Sequence, residues 1–181
     1  YHKRNLNGIV GGNKESLEII KNLGAKAPTK LIFWGVNINL FFPKNRDESR
    51  GKLGIPQNIK LIGYFGRIIE EKGLDTLVLA VNKINDCHLI FVGDGDYKNT
   101  LTKIVDSLDI KNRTFFYKSV NHSDLVDFYS ALDVFILPSK TMPEWEEQYG
   151  RVLVEAMACG LPVIGSSSGA IPTVLEGYPK G

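Results

Sequence analysis

The 181-residue chain (20.1 kDa) carries 22 basic and 20 acidic residues, a net charge of +2, with 43% hydrophobic and 23% charged residues. Those proportions are ordinary for a globular domain and exclude a disordered chain, and the even charge balance gives no basis for attraction to nucleic acid or to a membrane surface. No apolar run approaches the roughly 20 residues that span a bilayer, and Cys87 and Cys159, without a CxxC partner, make neither a disulfide framework nor a zinc site.

Lys14 to Leu23 is read as a helix, with Leu17, Ile20 and Leu23 on one face. Leu31 to Trp34 is read as a short strand. Phe42 through Pro56 is polar, charged and bounded by proline, the composition of a linker, and a boundary is placed near residue 58. From residue 60 the character changes. Short runs rich in β-branched and aromatic residues, at 60–65, 88–92, 114–117, 134–137 and 162–165, show little polar alternation, as strands covered on both faces do. Between them lie helical periods: Leu74, Leu77, Val78, Val81 and Ile84; Leu101, Ile104, Val105 and Leu108; Leu125, Phe128, Tyr129 and Leu132, with Ser123 or Asp124 placed to cap; and Val152, Leu153, Ala156 and Met157, stopped by Gly160 and Pro162. Strand and helix alternating at ~30-residue spacing make βαβ units. The expected fold is α/β, a Rossmann-like open parallel sheet with helices on both faces. The last predicted strand is followed by few residues and the chain does not begin with Met, so it is expected to be part of a longer protein.

In an open parallel sheet, ligands bind beyond the C-terminal strand ends. The first end carries Arg67 and Lys72 in a turn bracketed by Gly66 and Gly73. Two cations there suit a diphosphate, or make a solvated basic turn paired with Glu70 and Glu71. The second end, Gly93-Asp94-Gly95-Asp96, reads chiefly as a tight strand-to-helix turn, since two acids oppose phosphate binding. The richest segment is Glu147 to Glu155, where a long loop meets a helix expected to start near Tyr149. The amides of Tyr149, Gly150 and Arg151 would form an anion site at that helix start. Glu155 would lie about two turns in, beside the apolar face, where a carboxylate needs a partner or a ligand. The alternative is that Glu155 faces solvent and Glu147 merely caps. His122 and Trp145 are read as exposed loop residues, and His2, His88 and His122 form no His-based triad or metal cluster.

Four ordered segments carry a family resemblance: Gly66-Arg67 to Lys72-Gly73; Val92 to Gly95; Asp133 to Ser139; and Glu147 to Glu155, continuing through Gly160 and Pro162. Together they resemble the sugar-nucleotide-binding C-terminal domain of retaining GT-B glycosyltransferases of the GT4 family, glycosyl transferases group 1. The resemblance runs from about Leu61 to Leu175. It implies that residues 1–57 are the end of an N-terminal domain plus the interdomain connection, and that 58–181 are the nucleotide-sugar domain.

The family's site, carried over residue by residue, implies that Arg67 and Lys72, next to Gly66, neutralise the diphosphate of the sugar donor. It implies that Glu155 accepts from the ribose hydroxyls, that Glu147 contacts the transferred hexose, and that the amides of Gln148, Tyr149, Gly150 and Arg151 face phosphate or sugar. The backbone at Ser119 and Val120 would hold the base, although a glycine common before that segment appears here as Lys118. The implied ligand is a UDP- or GDP-sugar, used without cofactor or metal. The implied acceptor is a sugar or lipid-linked glycan, bound through a preceding N-terminal domain. The implied protein is cytoplasmic, with any peripheral contact at the inner membrane face residing in that other domain. The competing readings are another GT-B enzyme (a sugar phosphorylase or nucleotide-sugar epimerase) and a non-catalytic nucleotide-binding or interaction module.

Overall fold

The computed structural model describes residues 6–176. It opens with β1 (Ile9–Gly11), α1 (Lys14–Asn22) and β2 (Thr29–Leu31), a small unit in which the two strands pair in parallel. The Asn13 side chain starts α1 by accepting from the Ser16 amide at 2.8 Å. The strand expected at 31–34 thus lies slightly earlier, and Trp34 follows it with 59% of its surface exposed.

The segment expected to be a linker instead contains α2 (Arg46–Leu53). Asn45 accepts from the Glu48 amide at 3.0 Å, and Gly54, at φ 67°, closes the helix in the left-handed conformation. The sequence Arg46-Asp47-Glu48-Ser49-Arg50-Gly51-Lys52-Leu53 has no apolar stripe. Its anchor is a cation: Arg50 is fully buried and donates to the carbonyls of Ala131, Gln57 and Ile59 at 2.8, 2.7 and 2.9 Å and to Asp133 at 2.9 Å.

Five further strands, β3 (Lys60–Phe65), β4 (Cys87–Val92), β5 (Thr114–Tyr117), β6 (Val134–Leu137) and β7 (Val163–Gly165), form one parallel sheet ordered β5-β4-β3-β6-β7. The helices that join them are α3 (Leu74–Asn82), α4 (Lys98–Ser107), α5 (Leu125–Ala131) and α6 (Arg151–Ala158), and α7 (Ile171–Glu176) follows β7. The expected α/β fold and its five strands are present. The chain steps outward from β3 to β5, then returns to the other side of β3 at β6. The loops diverge at that reversal and leave a crevice, the usual ligand position in such a sheet.

Burial follows the apolar pattern. Leu61, Ile90, Phe91 and Phe135 of the sheet are inaccessible, as are Leu74 and Val78 of α3 and Leu101 of α4. Phe65, Tyr129 and Phe135 form an aromatic group with ring centres 4.7–5.5 Å apart beneath the crevice. One expected cap differs. Asp124 takes helical dihedrals and neither it nor Ser123 caps the start of α5 through its side chain.

Candidate functional site

The crevice is floored by two loops in direct backbone contact. The Gly66 amide donates to Val92 O at 3.0 Å, the Ile68 amide to Asp94 O at 2.9 Å, and the Tyr97 amide to Ile68 O at 3.1 Å. A Cβ on Gly93 would lie 1.9 Å from the Gly66 carbonyl oxygen, and one on Gly95 would lie 2.2 Å from that of Ile68. The glycines of this segment therefore serve contact between the two loops rather than a tight strand-to-helix turn, since α4 begins only at Lys98.

Above this floor lies a cavity of about 320 Å³. Of the residues singled out in the sequence, Gly66, Arg67, Ser119, Val120, Arg151 and Glu155 line it together. Arg67 is exposed and enters no ion pair among the described residues. Its carbonyl is fixed by the Tyr64 hydroxyl, which donates at 2.7 Å. Burial, then the charge of Glu147, raises the Tyr64 phenol well above its ordinary range, so it remains a donor. Ser119 is exposed and Val120 half-buried at the end of β5.

Glu155 sits on α6, which begins at Arg151 with Gly150 as its N-cap at φ 77°. The helix starts two residues later than expected, so Glu155 lies just over one turn in. It is 8% exposed. The Tyr129 hydroxyl donates to its Oε2 at 2.9 Å, and His122 Nε2 lies 3.1 Å from its Oε1. The solvent-facing alternative for Glu155 therefore does not hold. The Tyr129 phenol is raised well above its ordinary range by burial and by Glu155, which keeps the proton on tyrosine. Nearby Cys159 is pushed up to about 12, chiefly by burial and then by Glu155, so it stays an unreactive thiol.

Lys72 and Glu147 do not line that cavity. They form a second, drier cluster: Lys72 Nζ is ion-paired with Glu147 Oε2, and the Ser139 hydroxyl donates to the same oxygen at 2.8 Å. Trp145 is half-buried, contrary to the exposed reading, because its ring covers Lys72 Nζ at 5.0 Å. The loop is held by a serine and by a backbone amide. Ser168 Oγ donates to Lys140 O at 3.0 Å and lies 3.3 Å from the Glu147 amide, and the Ala170 amide donates to Glu147 O at 2.8 Å. Gln148 and Tyr149 face the N-terminal unit, where Asn13 Nδ2 donates to Gln148 O at 2.9 Å and the Tyr149 hydroxyl to Trp34 O at 2.7 Å. They share a cavity of about 470 Å³ with Gly12, Ser16 and Arg151. Arg151 is the residue common to both cavities. Among the described residues no cluster of three or more His, Cys, Asp or Glu is placed to hold a metal ion.

Three contributors were missed in the sequence. Tyr129 reads as core because its spacing matches Leu125 and Leu132. His122 has no acid at a fixed spacing, and Tyr64 lies inside an apolar strand. The one available signal was indirect: a glutamate on an apolar helix face requires donors from somewhere else.

This arrangement defines a Rossmann-like α/β domain with a pocket at the strand-order reversal. Residues 45–181 match the family described as glycosyl transferases group 1, and the chain belongs to that family. It is 32% identical over 173 residues to the D-inositol 3-phosphate glycosyltransferase of Mycolicibacterium smegmatis, an alignment covering 92% of this chain and 39% of that enzyme. The structure resembles Alr3699/HepE of Anabaena in complex with UDP, with a TM-score of 0.82 and 28% identity over 94% of this chain and 48% of that one. It also resembles sucrose-phosphate synthase of Thermosynechococcus elongatus, with a TM-score of 0.78 and 29% identity over 93% of this chain and 43% of that one. The chain thus spans less than half the length of these relatives. The described residues contain no helix long and apolar enough to cross a membrane.

Proposed function

We propose that this chain is the donor-binding part of a retaining glycosyltransferase that moves a hexose from a nucleoside diphosphate sugar to an acceptor hydroxyl. The observation that carries the reading is the grouping of an unpaired cation, Arg67, a helix start at Arg151 and a partnered buried acid, Glu155, around one cavity at the strand-order reversal. The UDP and UDP-glucose complexes of the Anabaena relative support it.

In this reading Arg67 and the first amides of α6 take the diphosphate. Glu155 accepts from the ribose, and Ser119 and Val120 border the base. Gln148 and Tyr149 lead the chain to Gly150, whose left-handed backbone turns the α6 amides toward the phosphate. Lys72 is the second cation, and Glu147 reaches the hexose hydroxyls; the incoming diphosphate draws Lys72 from its carboxylate partner. As the sugar–phosphate bond breaks, charge builds on the departing diphosphate. Prearranged cations and amides stabilise it, each such group being worth roughly 2.7–4 kcal/mol of barrier. No metal is needed for that step. The acceptor hydroxyl attacks from the same face, and the acceptor is bound by a preceding domain of the whole protein.

Calorimetric titration with UDP, GDP, ADP and their sugar conjugates, without and with Mg²⁺, tests this. Saturable binding of one nucleotide without metal is expected, and Arg67→Ala and Glu155→Ala should abolish it. Binding that survives both substitutions, or a folded chain that binds none of these nucleotides, overturns the reading.

A further inference from the structure

We propose that Trp34 is a specificity-determining residue whose indole is the platform on which the second cavity, of about 470 Å³, takes a pyranose ring of the acceptor; the acceptor role rests on the sugar-donor reading above. The starting point is how the indole is seated. Trp34 lies in the segment that joins the N-terminal unit to α2, and 59% of its surface is open. A Cβ on Gly12 would lie 2.3 Å from its Nε1 and 2.8 Å from its Cδ1. Gly12 does not have a left-handed φ, so the edge of the indole is what excludes a side chain there. The Trp34 carbonyl accepts from the Tyr149 hydroxyl at 2.7 Å, and the two rings lie tilted at 39° with centres 6.1 Å apart. The fold thus fixes this indole on two sides without burying it.

What surrounds the indole suits a sugar. Asn13 is committed to the wall itself, since it accepts from the Ser16 amide and donates to Gln148 O. Gln148 and Arg151 are exposed along the same cavity, and Arg151 enters no ion pair among the described residues. A pyranose has an apolar C–H face and a rim of hydroxyls. The indole covers the face, while an amide and a guanidinium meet the rim. An open-chain polyol has the same hydroxyls and no such face. Position along the site says which sugar this is. In the sugar-donor reading the first amides of α6 take the diphosphate, and Gln148 and Tyr149 lie just before them, with Arg151 lining both cavities. A ring on Trp34 therefore sits past the diphosphate, on the side of the bond that breaks. Glu147, which reaches the transferred hexose in that reading, does not line this cavity, which leaves it to the acceptor.

The test is saturation-transfer NMR of the chain, with UDP present, against methyl β-glucopyranoside, maltose, cellobiose and lactose, with glucitol as the open-chain control. At least one pyranoside should show saturable transfer, strongest at the C–H protons of one ring face, and glucitol should show none. Trp34→Ala should weaken that binding about ten-fold, the scale of stacking on an aromatic ring, and Trp34→Tyr, which keeps an aromatic face, should restore much of it. Gly12→Ala, which pushes the indole from its seat, should weaken it too, whereas Gly35→Ala, with no atom within 4 Å of its Cβ, should not. Unchanged pyranoside binding in a folded Trp34→Ala, glucitol binding as tightly as the pyranosides, or transfer to none of them overturns the inference and leaves the sugar-donor reading intact. Pyranoside binding that UDP-glucose displaces and UDP does not assigns the platform to the donor's own hexose and also overturns it. If UDP binding survives Arg67→Ala, the sugar-donor reading falls and this inference falls with it.

Discussion

Arg50→Ala is expected to be among the most damaging single changes outside the cavity. The guanidinium is inaccessible and receives no help from solvent. Its removal strips donors from the carbonyls of Ala131, Gln57 and Ile59, and from Asp133 Oδ2, which also accepts from the Leu61 amide at 2.7 Å. Three of these groups are neutral carbonyls and one is charged. Losing one side of a buried, hydrogen-bonded ion pair costs about 3–5 kcal/mol. That is a large share of the ~5–15 kcal/mol that holds a typical domain together. With a urea slope of about 2 kcal/mol/M, the midpoint should fall by about 2 M. Arg46 supplies the control: it binds the other oxygen of the same aspartate at 2.9 Å but is 48% exposed, so Arg46→Ala should cost less than about 1 kcal/mol. Urea melts followed by circular dichroism measure both. If Arg50→Ala loses no more than Arg46→Ala, the claim that a buried cation anchors α2 is wrong.

Gly93→Ala meets both a left-handed φ of 148° and a backbone oxygen 1.9 Å from the new Cβ, so it should lose about 2–4 kcal/mol, visible in a thermal melt; Gly35→Ala, with no atom within 4 Å of its Cβ, should change little. Lys72→Met leaves Glu147, 8% exposed, with Ser139 as its remaining side-chain partner, and should cost about 3 kcal/mol. Adding Glu147→Gln should recover part of that loss, and strictly additive losses in a double-mutant cycle would show that the pair is not coupled. Asp127 is a pH probe. Burial alone would raise its carboxyl, but the hydrogen bond and charge of Lys44, at 3.0 Å, and then Lys52 bring it below the usual 3.8. A depressed folded value means that this contribution is complete above the ordinary value and lost as pH falls through the folded one. The stability gap between wild type and Asp127→Asn should therefore narrow in urea melts from pH 7 towards pH 3, and a constant gap would contradict the assignment.

The five strands of the sheet and the helices between them were legible because each buries apolar side chains at the period of its own backbone, a local signal. Glycine at 66, 73 and 93 likewise marked turns, and all three have positive φ. Type and position made Arg67 and Glu155 candidates with a solvated alternative open, the family resemblance made them site residues, and the fold gathers them around one cavity. The helix α2 was not legible, because what fixes it is a cation meeting carbonyls from α5 and the 56–59 turn and the Asp133 carboxylate just before β6, a long-range pattern without period. The same holds for Glu155. Its position on α6 was set by local spacing, but its partners Tyr129 and His122 arrive from α5 and the loop before it. Only tertiary packing decided that Lys72 and Glu147 would bind each other beneath Trp145, since a side chain's charge is written in the sequence and its nearest neighbour is not.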